Sequence, residues 1–197
     1  MIHHADPTQQ AMVAWSIGRF EESGLERPDF SSITFPSPTS CQHAFAGKTL
    51  SRQGVVDIEI CFTAEQTEER PATVRNVILH ELAHAWMLEH VTDSAERAFI
   101  AEFQLERWSS AELRHENGSE YAAEIIAWAL MDQLVTPRVS DTSCDQLLAA
   151  YELLTGATAS WRSADCTEKG IHFERLGLRG RIAGLERANA TEGPTLR

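Results

Sequence analysis

His80-Glu81-Leu82-Ala83-His84 constrains this chain more than any other stretch, because it sets two imidazoles and a carboxylate inside a helical pattern. Residues four apart lie one turn apart on the same helix face, so both histidines can reach a single ion. Glu81 projects roughly 100° further round and can flank a water bound to that ion. Two ligands and a general base for zinc thus fall within one HExxH stretch.

The surroundings support a helix. Thr73 to Leu79 contains no Gly, and Pro71 stands where a first helical turn tolerates it. Val74, Val77, Ile78 and Leu82 form an apolar stripe, which predicts a largely buried helix. Buried histidines and a buried glutamate need partners, and a metal ion meets that need; ordinary hydrogen bonds within a core helix are the alternative.

A catalytic zinc takes three protein ligands and keeps one position for water. His90 has the metzincin spacing HExxHxxGxxH, but Met87 occupies the place of the Gly that turns that chain out of its helix. Met87-Leu88-Glu89 continues the helix instead and points His90 away. Gly118 to Met131 reads as a second helix, apolar nearly all round, whose only charges are Glu120 and Glu124. These lie one turn apart beside Ala123 and Ala127, residues small enough for another helix to come close. Such a face suits a cation; two carboxylates at an exposed helix start are the alternative.

With these residues in place, the chain resembles the gluzincins, the thermolysin-like branch of the zincin metallopeptidases. In that family HExxH is followed, on a second helix, by a metal-binding Glu and by an acidic residue four positions later. The resemblance spans the two helices, about 50 residues. It implies an α+β, zincin-like fold dominated by helices, with a small sheet whose edge strand precedes the HExxH helix. It also implies one zinc ion held by His80, His84 and Glu120, with Glu81 as general base. Glu124 would then hydrogen-bond His80 through its free ring nitrogen. The 36-residue step from His84 to Glu120 is longer than in thermolysin-like enzymes and keeps Glu124 open as the alternative ligand. Glu120-Tyr121-Ala122-Ala123 also fits the small regulator-cleaving zincins.

The implied activity is hydrolysis of a peptide bond in a peptide or protein substrate. The competing expectation is a zincin fold that keeps zinc as a structural or sensing element and binds a partner protein. His115, just before the Glu120 helix, is a candidate for stabilising an oxyanion, with Tyr121 and Tyr151 as weaker ones. Trp86, Trp108 and Trp128 are candidates for a pocket wall, against the usual core position of a helical Trp.

A chain of 197 residues with 43% hydrophobic content has the size of one domain. That domain is expected over residues 1–170, with an N-terminal helix and strands to about 70 and metal-binding helices over 71–160. Residues 171–197 read as a polar, weakly ordered tail. A net charge of −12 argues against nucleic acid or an anionic membrane as partner. No window approaches the roughly 18 apolar residues of a membrane span, and Met1 to Pro7 does not read as a signal peptide. A cytoplasmic location is the expectation, with secretion the alternative if the cysteines are bridged. Cys41–Cys61 and Cys144–Cys166 would each close a local loop; buried free thiols compete with both. Nothing in the sequence speaks to oligomeric state.

Five further elements are legible. Asp6-Pro7-Thr8-Gln9 is a capping box that opens a helix to about Glu22, stopped at Gly24. Ile33-Thr34-Phe35 reads as a short strand. Val55 to Phe62 alternates, with Val56, Ile58, Ile60 and Phe62 on one face. It is the candidate edge strand above the HExxH helix, where zincins bind extended substrate. Asp93-Ser94-Ala95-Glu96 opens a helix to about Trp108, and a last helix over Cys144 to Leu154 ends at Gly156.

Overall fold

A computed structural model describes residues 1–37, 40–41, 46–109, 117–133, 137, 139 and 142–159. In chain order the elements are β1 (Ile2–His3), α1 (Pro7–Glu22), β2 (Ser32–Thr34), β3 (Gly47–Arg52) and β4 (Val55–Ile60). They are followed by α2 (Ala64–Glu69), α3 (Pro71–His90), α4 (Asp93–Phe103), α5 (Gly118–Leu130) and α6 (Cys144–Thr155). The mixture of helices with one small open sheet is α+β. The tail over 171–197 lies outside the described residues.

The sheet order is β1-β2-β4-β3, with β1, β2 and β4 parallel and β3 antiparallel to β4. Two strands joined by two residues need a turn whose twist matches theirs, and one of the two turns that do so has positive φ at both positions. Gln53 and Gly54 supply it, at φ 53° and 79°. This pairing corrects the expected role of Val55 to Phe62. Its apolar alternation is present, with Ile58 and Ile60 buried and Val56 and Phe62 packed against the core. Yet β4 lies inside the sheet between β2 and β3, and β3 is the edge strand beside α3.

Local chemistry sets the helix ends. Asp6 Oδ1 accepts from the amides of Thr8 and Gln9 at 2.7 and 3.0 Å, while Gln9 Oε1 accepts from the amide of Asp6 at 3.0 Å. The Gln9 amide nitrogen continues to Phe62 O and Thr67 Oγ1, tying α1 to the chain after β4 and to α2. α3 opens on Pro71 and buries Val74, Val77, Ile78, Leu79, Leu82 and Ala83, with α1, β3 and α5 packed round it. Buried side chains from α1, the sheet, α3, α5 and α6 form one cluster. No helix among the described residues is long and apolar enough to cross a membrane.

α4 begins one residue earlier in its capping than expected, on Thr92, and ends at Phe103 rather than near Trp108. Gln104 takes a left-handed φ of 51°, and the chain beyond it runs alongside the start of α5. There it satisfies helix amides that have no partner of their own: Arg107 O accepts from Gly118 N at 2.9 Å and Trp108 O from Ser119 N at 2.8 Å. Gly118 is needed for this approach, since a Cβ there would lie 2.8 Å from Trp108 Cε3 and 3.3 Å from Trp108 Cα.

Cys41 and Cys61 are bridged, with Cα atoms 5.8 Å apart and a sequence separation of 20. The bridge ties the chain before β3 to the end of β4, beside a hydrogen bond from Cys61 N to Ala46 O at 2.9 Å. A loop of that length stabilises the folded chain by roughly 3 kcal/mol through restriction of the unfolded one. Cys166, the expected partner of Cys144, lies outside the described residues.

Candidate metal centre

α3 and α5 together assemble the site. His80 and His84 stand one turn apart on α3, and Glu120 is in the first turn of α5, where Asn117 Oδ1 accepts from the Glu120 amide at 2.9 Å. Ala122, Ala123 and Ala127 are fully buried, and such small side chains let the two helices approach. His80 Nε2 lies 3.2 Å from His84 Nε2 and 3.3 Å from Glu120 Oε2, and His84 Nε2 lies 3.5 Å from Glu120 Oε1.

These spacings test the fit to an ion. Ligands at 2.0–2.1 Å round a tetrahedral ion would be separated by about 3.3 Å. The observed 3.2 to 3.5 Å is compatible with one ion shared by the three groups. Among the described residues, His80, His84 and Glu120 are the cluster that could hold a metal. An ion held by these two imidazoles and one carboxylate would have a further position for a water or a substrate.

Glu124 lies on the other side of His80, its Oε2 3.2 Å from Nδ1 and off the ring's N–H axis. Glu81 is 5% exposed, and its Oε2 accepts a hydrogen bond from Thr49 Oγ1 at 2.8 Å. The same hydroxyl lies 3.0 Å from the Glu81 carbonyl oxygen. All five groups open into a cavity of about 940 Å³ whose walls include Lys48 and Thr49 of β3, Met87 and Val91 at the end of α3, and Trp108 and Tyr121.

The other candidates separate clearly. Tyr121 lines the cavity, whereas Tyr151 is buried in α6 and its hydroxyl pKa is pushed up by that burial. Trp108 is a wall residue, but Trp86 and Trp128 belong to the core. His90 closes α3 and stacks on Trp86 at 4.7 Å, outside the cluster. His115 lies outside the described residues. Thr49 and Gly47 were not among the candidates read from the sequence; neither type signals chemistry, and each lies more than thirty residues from Glu81.

Protonation in the metal-free protein follows from this packing. Burial alone would lower the His80 pKa, but the carboxylates of Glu120 and Glu124 and the charge of Glu81 outweigh it and carry it from 6.5 to about 10. Burial would likewise raise that of Glu120, but hydrogen bonds with His80 and His84 hold it well below the usual carboxylate range. A raised imidazole pKa stabilises the fold fully below 6.5 and loses that effect as pH rises toward about 10. A lowered carboxylate pKa stabilises above about 4.5 and loses it as pH falls. The metal-free pair therefore contributes most between about pH 4.5 and 6.5. A metal needs neutral imidazole, so its apparent affinity is expected to rise with pH, with proton release near neutrality. Calorimetry in two buffers of different ionisation enthalpy measures that release, and its absence at pH 7 would contradict a protonated His80.

No protein-family model, curated protein or solved structure matches the chain, which leaves the site to be read from its own side chains.

Proposed function

We propose that this chain is a zinc-dependent peptidase of zincin type, with His80, His84 and Glu120 as ligands and Glu81 as general base. The observation that carries this reading is the convergence of two imidazoles and one carboxylate at 3.2 to 3.5 Å, with the carboxylate of Glu81 facing the same cavity. Two nitrogen donors with one oxygen donor suit zinc better than a hard cation that prefers all-oxygen sites.

When bound, zinc supplies a Lewis acid that polarises a carbonyl and draws the pKa of a bound water toward neutrality. The side chains supply the rest. Glu81 takes the proton of the attacking water on a carboxylate oxygen and later delivers it to the leaving amine. The Glu124 carboxylate, 3.2 Å from Nδ1 of His80, favours the tautomer with its proton on that nitrogen, which leaves Nε2 free as a ligand. The cavity, open along β3, gives an extended chain room to enter.

A non-catalytic zincin fold with structural or sensing zinc is the second reading. Glu81 speaks against it, since a structural ion needs no buried carboxylate between its two histidines. Elemental analysis of purified protein is expected to find about one zinc per chain. Unfolded casein should be cleaved, and a chelator should stop the cleavage. Zinc at full occupancy without cleavage of any unfolded protein tested would favour the second reading; a folded protein that takes up no zinc would remove both.

A further inference from the structure

We propose that the edge strand β3 positions the general base, with Thr49 as the residue that aims the Glu81 carboxylate and Gly47 as the gap that admits it. This rests on the zinc-peptidase reading and adds a part that HExxH itself does not contain. A glutamate on a helix has three rotatable side-chain bonds, and position along α3 alone does not fix where its carboxylate points. Here β3 fixes it from outside the helix. Thr49 Oγ1 donates its single proton to Glu81 Oε2 at 2.8 Å and lies 3.0 Å from the carbonyl oxygen of the same residue, so the hydroxyl is held against both ends of Glu81 while its proton goes to the carboxylate.

Gly47 completes the seat. A Cβ at that position would lie 2.6 Å from Glu81 Oε1 and 2.7 Å from Glu81 Cγ. No other residue type allows this approach without moving the glutamate, since all others carry that carbon. With Oε2 held by Thr49, Oε1 is the oxygen left for a proton. A misplacement of about 1 Å in such a group can cost on the order of a hundredfold.

The test is a binding measurement on the cobalt-loaded protein, read from its visible absorption. Acetohydroxamate gives up a proton when it binds a metal and needs a base beside it; azide binds as an anion and needs none. Thr49→Val keeps the shape of the side chain and removes the hydroxyl. It is expected to weaken acetohydroxamate at least about tenfold, leaving azide and cobalt affinity unchanged, while the melting temperature falls by a few degrees because a buried carboxylate loses its donor. Thr49→Ser should restore acetohydroxamate binding. Gly47→Ala, which keeps the hydroxyl but displaces the carboxylate, should reproduce the loss.

In a Glu81→Gln background, Thr49→Val should add nothing, because its effect passes through the carboxylate. Wild-type acetohydroxamate affinity in Thr49→Val, or an equal loss with and without Glu81, would overturn the inference while leaving the zinc reading standing. If the wild-type chain takes no metal, or Glu81→Gln binds acetohydroxamate as wild type does, the zinc-peptidase reading has failed and this inference fails with it.

Discussion

Glu81→Gln is expected to keep one zinc per chain and to lose hydrolysis by about a thousandfold. The substitution conserves size, and the amide oxygen still accepts from Thr49 Oγ1, so the packing between α3 and β3 is retained. The amide lacks a basic site: it cannot take a proton from water and return it to an amine. General acid–base catalysis contributes roughly 10² to 10⁴ in rate, and the whole of that share is assigned to this residue. Steady-state cleavage at matched zinc content gives the answer. A glutamine variant that cleaves at the wild-type rate would assign proton transfer to another group and dismantle the mechanism.

The second large effect separates the two glutamates of α5. Zinc at a hundred times its dissociation constant stabilises a protein by about 2.7 kcal/mol, which raises the melting temperature of a domain this size by roughly 5 to 10 °C. Glu120→Ala removes a donor that lies within 3.5 Å of both histidine nitrogens, and the zinc-dependent rise should disappear. Glu124→Ala leaves all three donors and removes only the carboxylate beside His80 Nδ1. Zinc affinity should then fall by about 10- to 100-fold, with the rise recovered at higher zinc. Thermal melts over a zinc titration distinguish these outcomes. The reverse order, with Glu124→Ala the more damaging, would make Glu124 the ligand.

The parts of this site differ in how far sequence alone reaches them. His80, Glu81 and His84 are legible because one helix brings them together, and helical spacing is local information. Glu120 is legible at one remove, as a charge on a helix otherwise too apolar to leave exposed. Thr49 and Gly47 are not, because their approach to Glu81 depends on where β3 lies, and β3 itself leaves no local signal. Gly-Lys-Thr-Leu-Ser-Arg has no period-two apolar pattern, since an edge strand of partly buried residues has no wholly buried face to encode. Its turn, Gln53-Gly54, is a weaker hairpin signal than Asn-Gly.

Val55 to Phe62 reads as a strand and β4 occupies Val55–Ile60 of it, but its inner place in the sheet comes from pairing with β2 and β3, which no local pattern records. The end of α4 was overrun for a related reason. Gln104 turns the chain without Gly or Pro, and the segment beyond it is held by the amides of α5. α2 was missed because six residues are too few for a period to show.

The Cys41–Cys61 bridge bears on how any activity would be measured. It anchors the chain on either side of the β3–β4 hairpin, and β3 carries Thr49 and Gly47 against Glu81. A dithiol reductant in the assay buffer would act twice, since its paired sulfurs also bind zinc. It would release the chain on either side of the hairpin and compete for the ion, and the resulting inactivity would look like simple metal loss. A phosphine that reduces disulfides without chelating, set beside a chelator that leaves disulfides alone, resolves the two. Protein folded where thiols stay reduced would enter such an assay with that bridge already open.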